Sequence, residues 1–265
     1  MSNYDIFIKQ INILIKSNRY KMKKKFIEEF NEHTNSKFSL EYKKCLYRGK
    51  SKFQKIEVFD TIGFGKTLLL DSCFMVTEKD HHLYHNKCKE LIGLKKRKLN
   101  ILIIGGGDFG LVKTLSASDN IYKITVLEID QQVIEVCKKY FSNFFKFTKK
   151  FSNKIEVSIC DGYKWVKNNR NNIFDVIIVD CTDPNVLSKK LYSSNFYNYI
   201  FKNLKKNGLL IQQSGSPLID RKKIINPMIK KLEKTGFSDI TLNVFPMPSY
   251  PLGTWSFVRC VKRND

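Results

Sequence analysis

Four acids stand where a strand-like run has just ended: Asp108 after ILIIGGG, Glu128 closing KITVLE, Asp161 after KIEVSIC and Asp180 closing FDVIIV. Any one of them could be a helix N-cap. Together, at the carboxyl ends of successive strands, they would line the edge of one sheet where open α/β sheets bind ligands. Glu128 lies 20 residues past Asp108, the position from which an acid accepts both hydroxyls of a ribose. Asp161-Gly162 closes the next strand, where a carboxylate can accept an adenine amino group. Asp180, with Thr182 and Asp183 in DCTDP, falls where a reacting group would sit. So much negative charge calls for a cationic ligand. An adenosyl sulfonium and an amine fit; NAD does not.

The glycine turn ahead of Asp108 sharpens that reading. Gly105, Gly107 and Gly110 satisfy G-x-G-x-x-G, the dinucleotide fingerprint. Such glycines let the backbone turn tightly and approach a ligand closely. A pyrophosphate, however, needs bare N–H groups at a helix N-terminus, and Asp108 places a carboxylate there. The spacing therefore predicts a nucleoside-type pocket whose other end carries positive charge.

The elements that must hold these residues follow from hydrophobic period. From Phe38 to Glu78 apolar and polar residues alternate, with turn signals at Arg48-Gly49, Asp60 and Gly63 to Gly65, which predicts a small antiparallel β-domain. Residues 79–94 read as a connecting helix. Beyond residue 95, helix and strand patterns alternate: helices from Leu111, Gln131, Tyr163, Phe196 and Lys222, and strands before and between them. The helix from Phe196 is expected to close at Asn207-Gly208. That alternation means a Rossmann-like, doubly wound, mostly parallel sheet of the kind found in S-adenosylmethionine-dependent methyltransferases. Three segments are thus expected: a basic helical extension over 1–36, a β-domain with its helix over 37–94, and a catalytic domain over 95–265. The extension shows a helical pattern (Phe7, Ile11, Leu14, Ile15), then the charged run KMKKKFIEEFNEH, with no visible chemistry.

Composition narrows the classes. The chain has 265 residues and a formal charge of +22. The basic residues are mostly lysine and are spread along the chain, and lysine reads bases poorly compared with arginine. No specific nucleic-acid binding is expected. No signal-peptide pattern and no run of 18 apolar residues occurs, so a soluble, cytoplasmic protein without membrane contact is expected. The seven cysteines form no C-x-x-C pair and are expected as reduced thiols. His81 and His85 could share a helical face as a metal pair, but no acidic or cysteine ligand has matching spacing, and no metal is expected.

GGGDFG, the acid in LEID, CDGYKW, FDVIIVDCTDP and SYPLGTWSF, in this order and spacing, resemble the polyamine aminopropyltransferases, the spermidine synthase family. SKFQKIEVF and LLLDSCFMVTEKDHHLYH are similar to that family's S-x-Y-Q and L-D-G…T-E-R-D-E…Y-H motifs, so the resemblance spans roughly residues 40–262. It implies transfer of the aminopropyl group of decarboxylated S-adenosylmethionine, a co-substrate rather than a cofactor, to a diamine, most often putrescine. The products would be spermidine and 5′-methylthioadenosine. It further implies that Gln54, Gly105, Gly107, Glu128, Asp161 and Gly162 hold the nucleoside, and that Asp108 binds the amino end of the aminopropyl chain. Asp180 would be the catalytic acid, with Tyr84 and Asp183 beside it. His85, Asp108, Asp180, Asp183, Gln213 and Tyr250 would meet the acceptor or the reacting centre. A homodimer or homotetramer is implied as well.

Departures from the family pattern carry expectations too. Phe109 replaces a glycine of GGGDGG and is expected to reshape the cosubstrate pocket. Met75 stands where glutamine is common, His81 where glutamate is common, and Asn185-Val186-Leu187 replaces a Gly-Pro-rich covering loop. Two other classes stay open: a methyltransferase using intact S-adenosylmethionine, whose carboxylate Asp108 would repel, and a binder that has lost turnover.

Overall fold

A computed structural model describes residues 24–32, 34–93, 98–169 and 173–263. The expected helix over Phe7 to Ile15 lies outside the described residues. Two sheets make up the fold. The first is five-stranded and antiparallel, in the order β1 (Phe26–Asn31), β2 (Ser36–Lys50), β3 (Lys55–Thr61), β4 (Gly65–Leu70), β5 (Cys73–Thr77). The second has seven strands ordered β11-β12-β10-β9-β6-β7-β8. It comprises β6 (Leu99–Gly105), β7 (Ile121–Glu128), β8 (Ile155–Ile159), β9 (Phe174–Asp180), β10 (Leu204–Gln213), β11 (Phe237–Pro246) and β12 (Thr254–Lys262). The run from β10 through β9, β6 and β7 to β8 is parallel, and β12 joins it antiparallel, with β11 antiparallel on β12.

The period of two along β6 decides the layers. Ile101 and Ile103 face one core with Val126, Ile178 and Ile211, while Leu102 and Ile104 face the other with Leu127, Ile177 and Val179. Both faces are dry, so the strands read as unbroken apolar runs. The second core is closed by α4 (Gly162–Asn168), α5 (Ser194–Asn203) and α6 (Asn226–Thr235). The first continues through α1 (His81–Ile92), α2 (Gly110–Leu115) and α3 (Gln131–Tyr140) into the five-stranded sheet, with Ile56, Val58, Leu68 and Val76 in the same cluster. One continuous core thus fixes the small sheet above the carboxyl edge of the large one.

Three expectations need correction. Residues 26–31, read as part of a helical extension, form β1, paired antiparallel with β2 from Phe26↔Glu41 to Asn31↔Ser36. The segment is an edge strand with a partly buried face (Ile27, Glu29, Asn31) and exposed Phe26 and Phe30, so its charges hid its period. The small sheet therefore begins at Phe26 rather than at residue 37. Helix α5 ends at Asn203, not at Asn207-Gly208. Strand β10 starts at Leu204, and Asn207, at φ 60°, sits in an irregularity between Leu204 and Leu209. The helix from Lys222 opens instead with one wide π turn, Arg221–Ile225, before α6.

Candidate active site

Between the two sheets lies a cleft of about 710 Å³. The residues assigned above to cosubstrate, acceptor or catalysis line it: Gln54, Tyr84, His85, Gly105, Gly107, Asp108, Glu128, Asp161, Gly162, Asp180, Asp183, Gln213 and Tyr250. They come from the ends of β6 to β10, the 51–54 loop of the small sheet, the first helix and the loop before β12. Only the continuous core described above could bring them together.

The floor is the glycine turn. Gly105 (φ 88°) and Gly106 (φ 69°) take left-handed backbone, and a Cβ on Gly105 would meet the Asp180 carbonyl oxygen at 2.0 Å. That contact seats the β6 turn on the end of β9, where the Gly106 N–H donates to the Asp180 carbonyl at 2.9 Å. At Gly107 a Cβ would meet Glu128 Oε2 at 2.6 Å, so glycine there leaves room for that carboxylate to lie against the turn. Gly162 similarly lies against Ile104, and Asp161 N-caps α4 by accepting from the Lys164 N–H at 3.2 Å.

Phe109 is the main surprise. It takes φ 66°, ψ 7°, a conformation that suits glycine, yet its ring does not line the cleft. It turns the other way and stacks on Phe145 of the 3-10 turn Ser142–Phe145, with centroids 4.6 Å apart and planes at 25°. The expectation that Phe109 reshapes the pocket is overturned: the left-handed backbone swings its Cβ into the core.

At the centre, the Tyr84 hydroxyl donates to Asp180 Oδ1 at 2.6 Å. Helix α1 delivers Tyr84, packed on Phe257 at 4.7 Å between ring centroids. Burial pushes the Asp180 carboxyl above the usual range, and the Tyr84 bond opposes that rise. Asp108 accepts the Gly110 N–H at 2.5 Å; its carboxyl is pushed up to about 7 by burial, then by the fields of Asp180 and Glu128. Glu128 is likewise pushed to about 7 by burial, against backbone N–H donors that include Asp130 at 2.9 Å. Asp183, raised to about 6 by burial and by Asp220, accepts from Gln213 Nε2 at 3.1 Å. That same Nε2 donates to the Cys181 carbonyl and the Tyr192 hydroxyl, each at 2.8 Å. Tyr250 donates to the Met75 carbonyl at 2.5 Å and stands edge-on to Trp255. Burial thus raises the carboxyls of Asp108, Glu128, Asp180 and Asp183 together, and such clustering of perturbed acids in a cleft marks a candidate functional site.

Two residues that sequence reasoning passed over belong here. Glu29 of β1 lines the cleft, accepts the Phe74 N–H at 2.7 Å and is pushed up to about 7 by burial, with Asp183 contributing. It was missed because β1 was read as surface. Asp130 caps α3 through Gln132 N and also takes Ser51 Oγ at 2.6 Å and Gln54 Nε2 at 3.0 Å. It ties the small sheet's 51–54 loop to the large domain, and its capping position two residues past Glu128 was the available signal. Among the described residues no group of three or more His, Cys, Asp and Glu side chains converges as a metal site.

Comparison with known proteins agrees with this geometry. Residues 81–265 match the family model described as the spermine/spermidine synthase domain, and residues 26–78 the spermidine synthase tetramerisation domain. The chain is 39% identical over 240 residues to a polyamine aminopropyltransferase of Methanocaldococcus jannaschii, covering 89% of this chain and 80% of that protein. To the polyamine aminopropyltransferase of Thioalkalivibrio sulfidiphilus it is 35% identical, covering 87% and 81%. Among solved structures, a spermidine synthase in complex with the transition-state analogue AdoDATO superposes with a TM-score of 0.80 at 27% identity, over 94% of this chain and 85% of that one. Spermidine synthase from Thermotoga maritima gives 0.79 at 27%, over 94% and 84%. The chain belongs to the spermine/spermidine synthase family, the polyamine aminopropyltransferases.

Proposed function

We propose that the enzyme transfers the aminopropyl group of decarboxylated S-adenosylmethionine to a diamine, with putrescine as the acceptor and spermidine and 5′-methylthioadenosine as products. The observation that carries this reading is the Tyr84–Asp180 pair at 2.6 Å, set between further carboxylates on both sides. In the proposed arrangement Gln54, Glu128, Asp161 and Gly162 hold the nucleoside and Asp108 the aminopropyl ammonium. Asp183, His85, Gln213 and Tyr250 border the acceptor.

An alkylamine has a pKa near 10.4, so at pH 7 only about one molecule in 2,500 is a nucleophile, a gap of roughly 4–5 kcal/mol. Asp180, its Oδ1 fixed by Tyr84, takes the proton from the attacking nitrogen. The nitrogen lone pair then forms a bond to the methylene carbon beside sulfur as the carbon–sulfur bond breaks. The electron pair returns to sulfur, and methylthioadenosine leaves neutral. Alignment of nitrogen, carbon and sulfur is the cleft's other contribution. Glu29 adds a carboxylate near Asp183, which supports an acceptor with a second ammonium at its far end.

The five-stranded sheet, matched by a family model named for tetramerisation, supports assembly as a homodimer or homotetramer through that sheet. Among the described residues no helix is long and apolar enough to cross a membrane. We place the enzyme in the cytoplasm, which its seven unpaired cysteines support.

The test is release of methylthioadenosine from decarboxylated S-adenosylmethionine with putrescine, cadaverine, agmatine or spermidine in turn. Activity with putrescine is expected, and Asp180→Asn is expected to lower kcat roughly a hundredfold or more, the scale of lost general-base catalysis. No methylthioadenosine with any amine, or methylated product from intact S-adenosylmethionine, refutes the assignment.

A further inference from the structure

Next to Asp108 lies a pair of imidazoles whose facing nitrogens the reaction as written leaves without a role. His81 and His85, one turn apart on α1, face each other through their Nδ1 atoms at 3.2 Å. The other ring nitrogen of His85, Nε2, lies 3.9 Å from Asp108 Oδ1, within electrostatic reach but beyond hydrogen-bond distance. The His85 ring is 2% exposed and pinned in place: a Cβ on Gly110 would meet its Cε1 at 2.1 Å. Phe144 closes over both rings, edge-on to His81 at 4.6 Å and to His85 at 6.2 Å.

A neutral imidazole carries one N–H, and the hydrogen bond made by one nitrogen decides which. Two facing Nδ1 atoms can hold one hydrogen between them, on either ring. If it sits on His85, the Nε2 lone pair is aimed at the Asp108 carboxylate, two acceptors face to face. If it sits on His81, His85 must carry its hydrogen on Nε2, directed at Asp108. Only the second arrangement presents an N–H rather than a lone pair to Asp108 once a bound ammonium ionises it. We infer that His81 is a positioning residue: by donating from Nδ1 to His85 Nδ1, it locks His85 as the Nε2–H tautomer and so sets a positive N–H edge, not a lone pair, beside the carboxylate that receives the aminopropyl ammonium.

Neutrality matters as much as direction. Burial, then the neighbouring His81 and His82, hold His85 far below its ordinary value, at about 3. A cationic His85 would pair with Asp108 itself and repel the incoming ammonium, whereas a neutral N–H edge favours the ionised carboxylate without competing for it. The inference rests on the assignment of Asp108 to that ammonium.

The experiment pairs a spectroscopic and a binding measurement on the full-length protein. Nitrogen-15 spectra of labelled imidazoles are expected to show His85 protonated on Nε2 and bare on Nδ1 in the wild type. His81→Phe retains a ring against Phe144 and removes the donor. It is expected to weaken binding of decarboxylated S-adenosylmethionine by about tenfold, the equivalent of one modest hydrogen bond. Binding of methylthioadenosine, which has no aminopropyl chain, is expected to stay unchanged. His81→Gln, whose side-chain amide can donate to the same Nδ1, is expected to restore most of the affinity. The opposite tautomer in the wild type overturns the inference, as does equal loss for both ligands or loss for neither. If wild-type protein with the expected tautomer fails to bind decarboxylated S-adenosylmethionine at all, the assignment of Asp108 falls instead.

Discussion

Replacing Phe109 by glycine restores the residue common in the family and separates a structural role from a catalytic one. Two opposing terms act on stability. The ring is 5% exposed and stacked on Phe145, and deleting a buried phenylalanine side chain costs about 3–5 kcal/mol. The backbone at φ 66° is strained for any residue with a Cβ, and glycine relieves roughly 1–2 kcal/mol of that. Burial wins, and Phe109→Gly is expected to lose about 1–4 kcal/mol of folding stability. For a chain of this size that lowers the melting temperature by roughly 2–16 °C. Because the ring points away from the cleft, the KM for decarboxylated S-adenosylmethionine is expected to stay within about twofold, below the effect of one lost hydrogen bond. Urea unfolding followed by circular dichroism gives the first quantity, and methylthioadenosine release at varied cosubstrate gives the second. Unchanged stability with a tenfold rise in KM would show that the ring lines the pocket, and the direction read from its backbone would be wrong.

Asp130→Ala is expected to remove about 1–2 kcal/mol by loss of the α3 cap. By freeing Ser51 and Gln54 it is also expected to raise the cosubstrate KM with kcat at saturation nearly kept, as steady-state kinetics would show. A loss confined to kcat contradicts the tethering role. A third expectation concerns protons. Asp108 and Glu128 have values near 7 in the free protein, so below pH 7 they hold hydrogen that a bound cation must expel. Calorimetric titration in two buffers of different ionisation enthalpy is expected to show proton release at pH 6.5 and little at pH 8.5, with weaker binding at the lower pH. The same shift bears on folding. The unfolded carboxyls lose their protons near pH 4, the folded ones near 7, so the stabilisation these groups give at low pH is lost as pH rises between those values. Proton uptake on binding would contradict the placement of the cation beside these acids.

What could be read from the chain alone depended on whether position in sequence stands for position in space. Asp108, Glu128, Asp161 and Asp180 were legible because parallel strands bring their carboxyl ends to one edge, so each acid's place follows from its strand. The alternation from Phe38 to Glu78 announced an antiparallel sheet for the same reason. Glu29 was not legible, because β1 is an edge strand whose outward residues carry charge and aromatic rings at a spacing that also fits a helix. The direction of Phe109 was hidden as well: a residue type does not reveal a positive φ, and that angle alone decides between pocket and core. Asp130 could be seen as a helix cap, but its bonds to Ser51 and Gln54, 79 and 76 residues away, exist only once the two sheets are stacked.

The amide of Gln213 has two hydrogens, and three acceptors stand within 3.1 Å of its nitrogen: the Cys181 carbonyl, the Tyr192 hydroxyl and Asp183 Oδ1. Its carbonyl side is fixed by the Gly215 N–H at 3.1 Å, so the group cannot turn to redistribute them. The nitrogen is over-subscribed, and the contact to Asp183 is the longest of the three. An alkylammonium beside Asp183 brings donors of its own, and one of them relieves the shortage by taking over the carboxylate. Gln213 is then left with two acceptors for two hydrogens. An ether or alcohol of the same shape brings fewer hydrogens or none. With Asp183 bordering the acceptor as proposed, selection of an amine would rest partly on a hydrogen deficit of the protein, in addition to its negative charge.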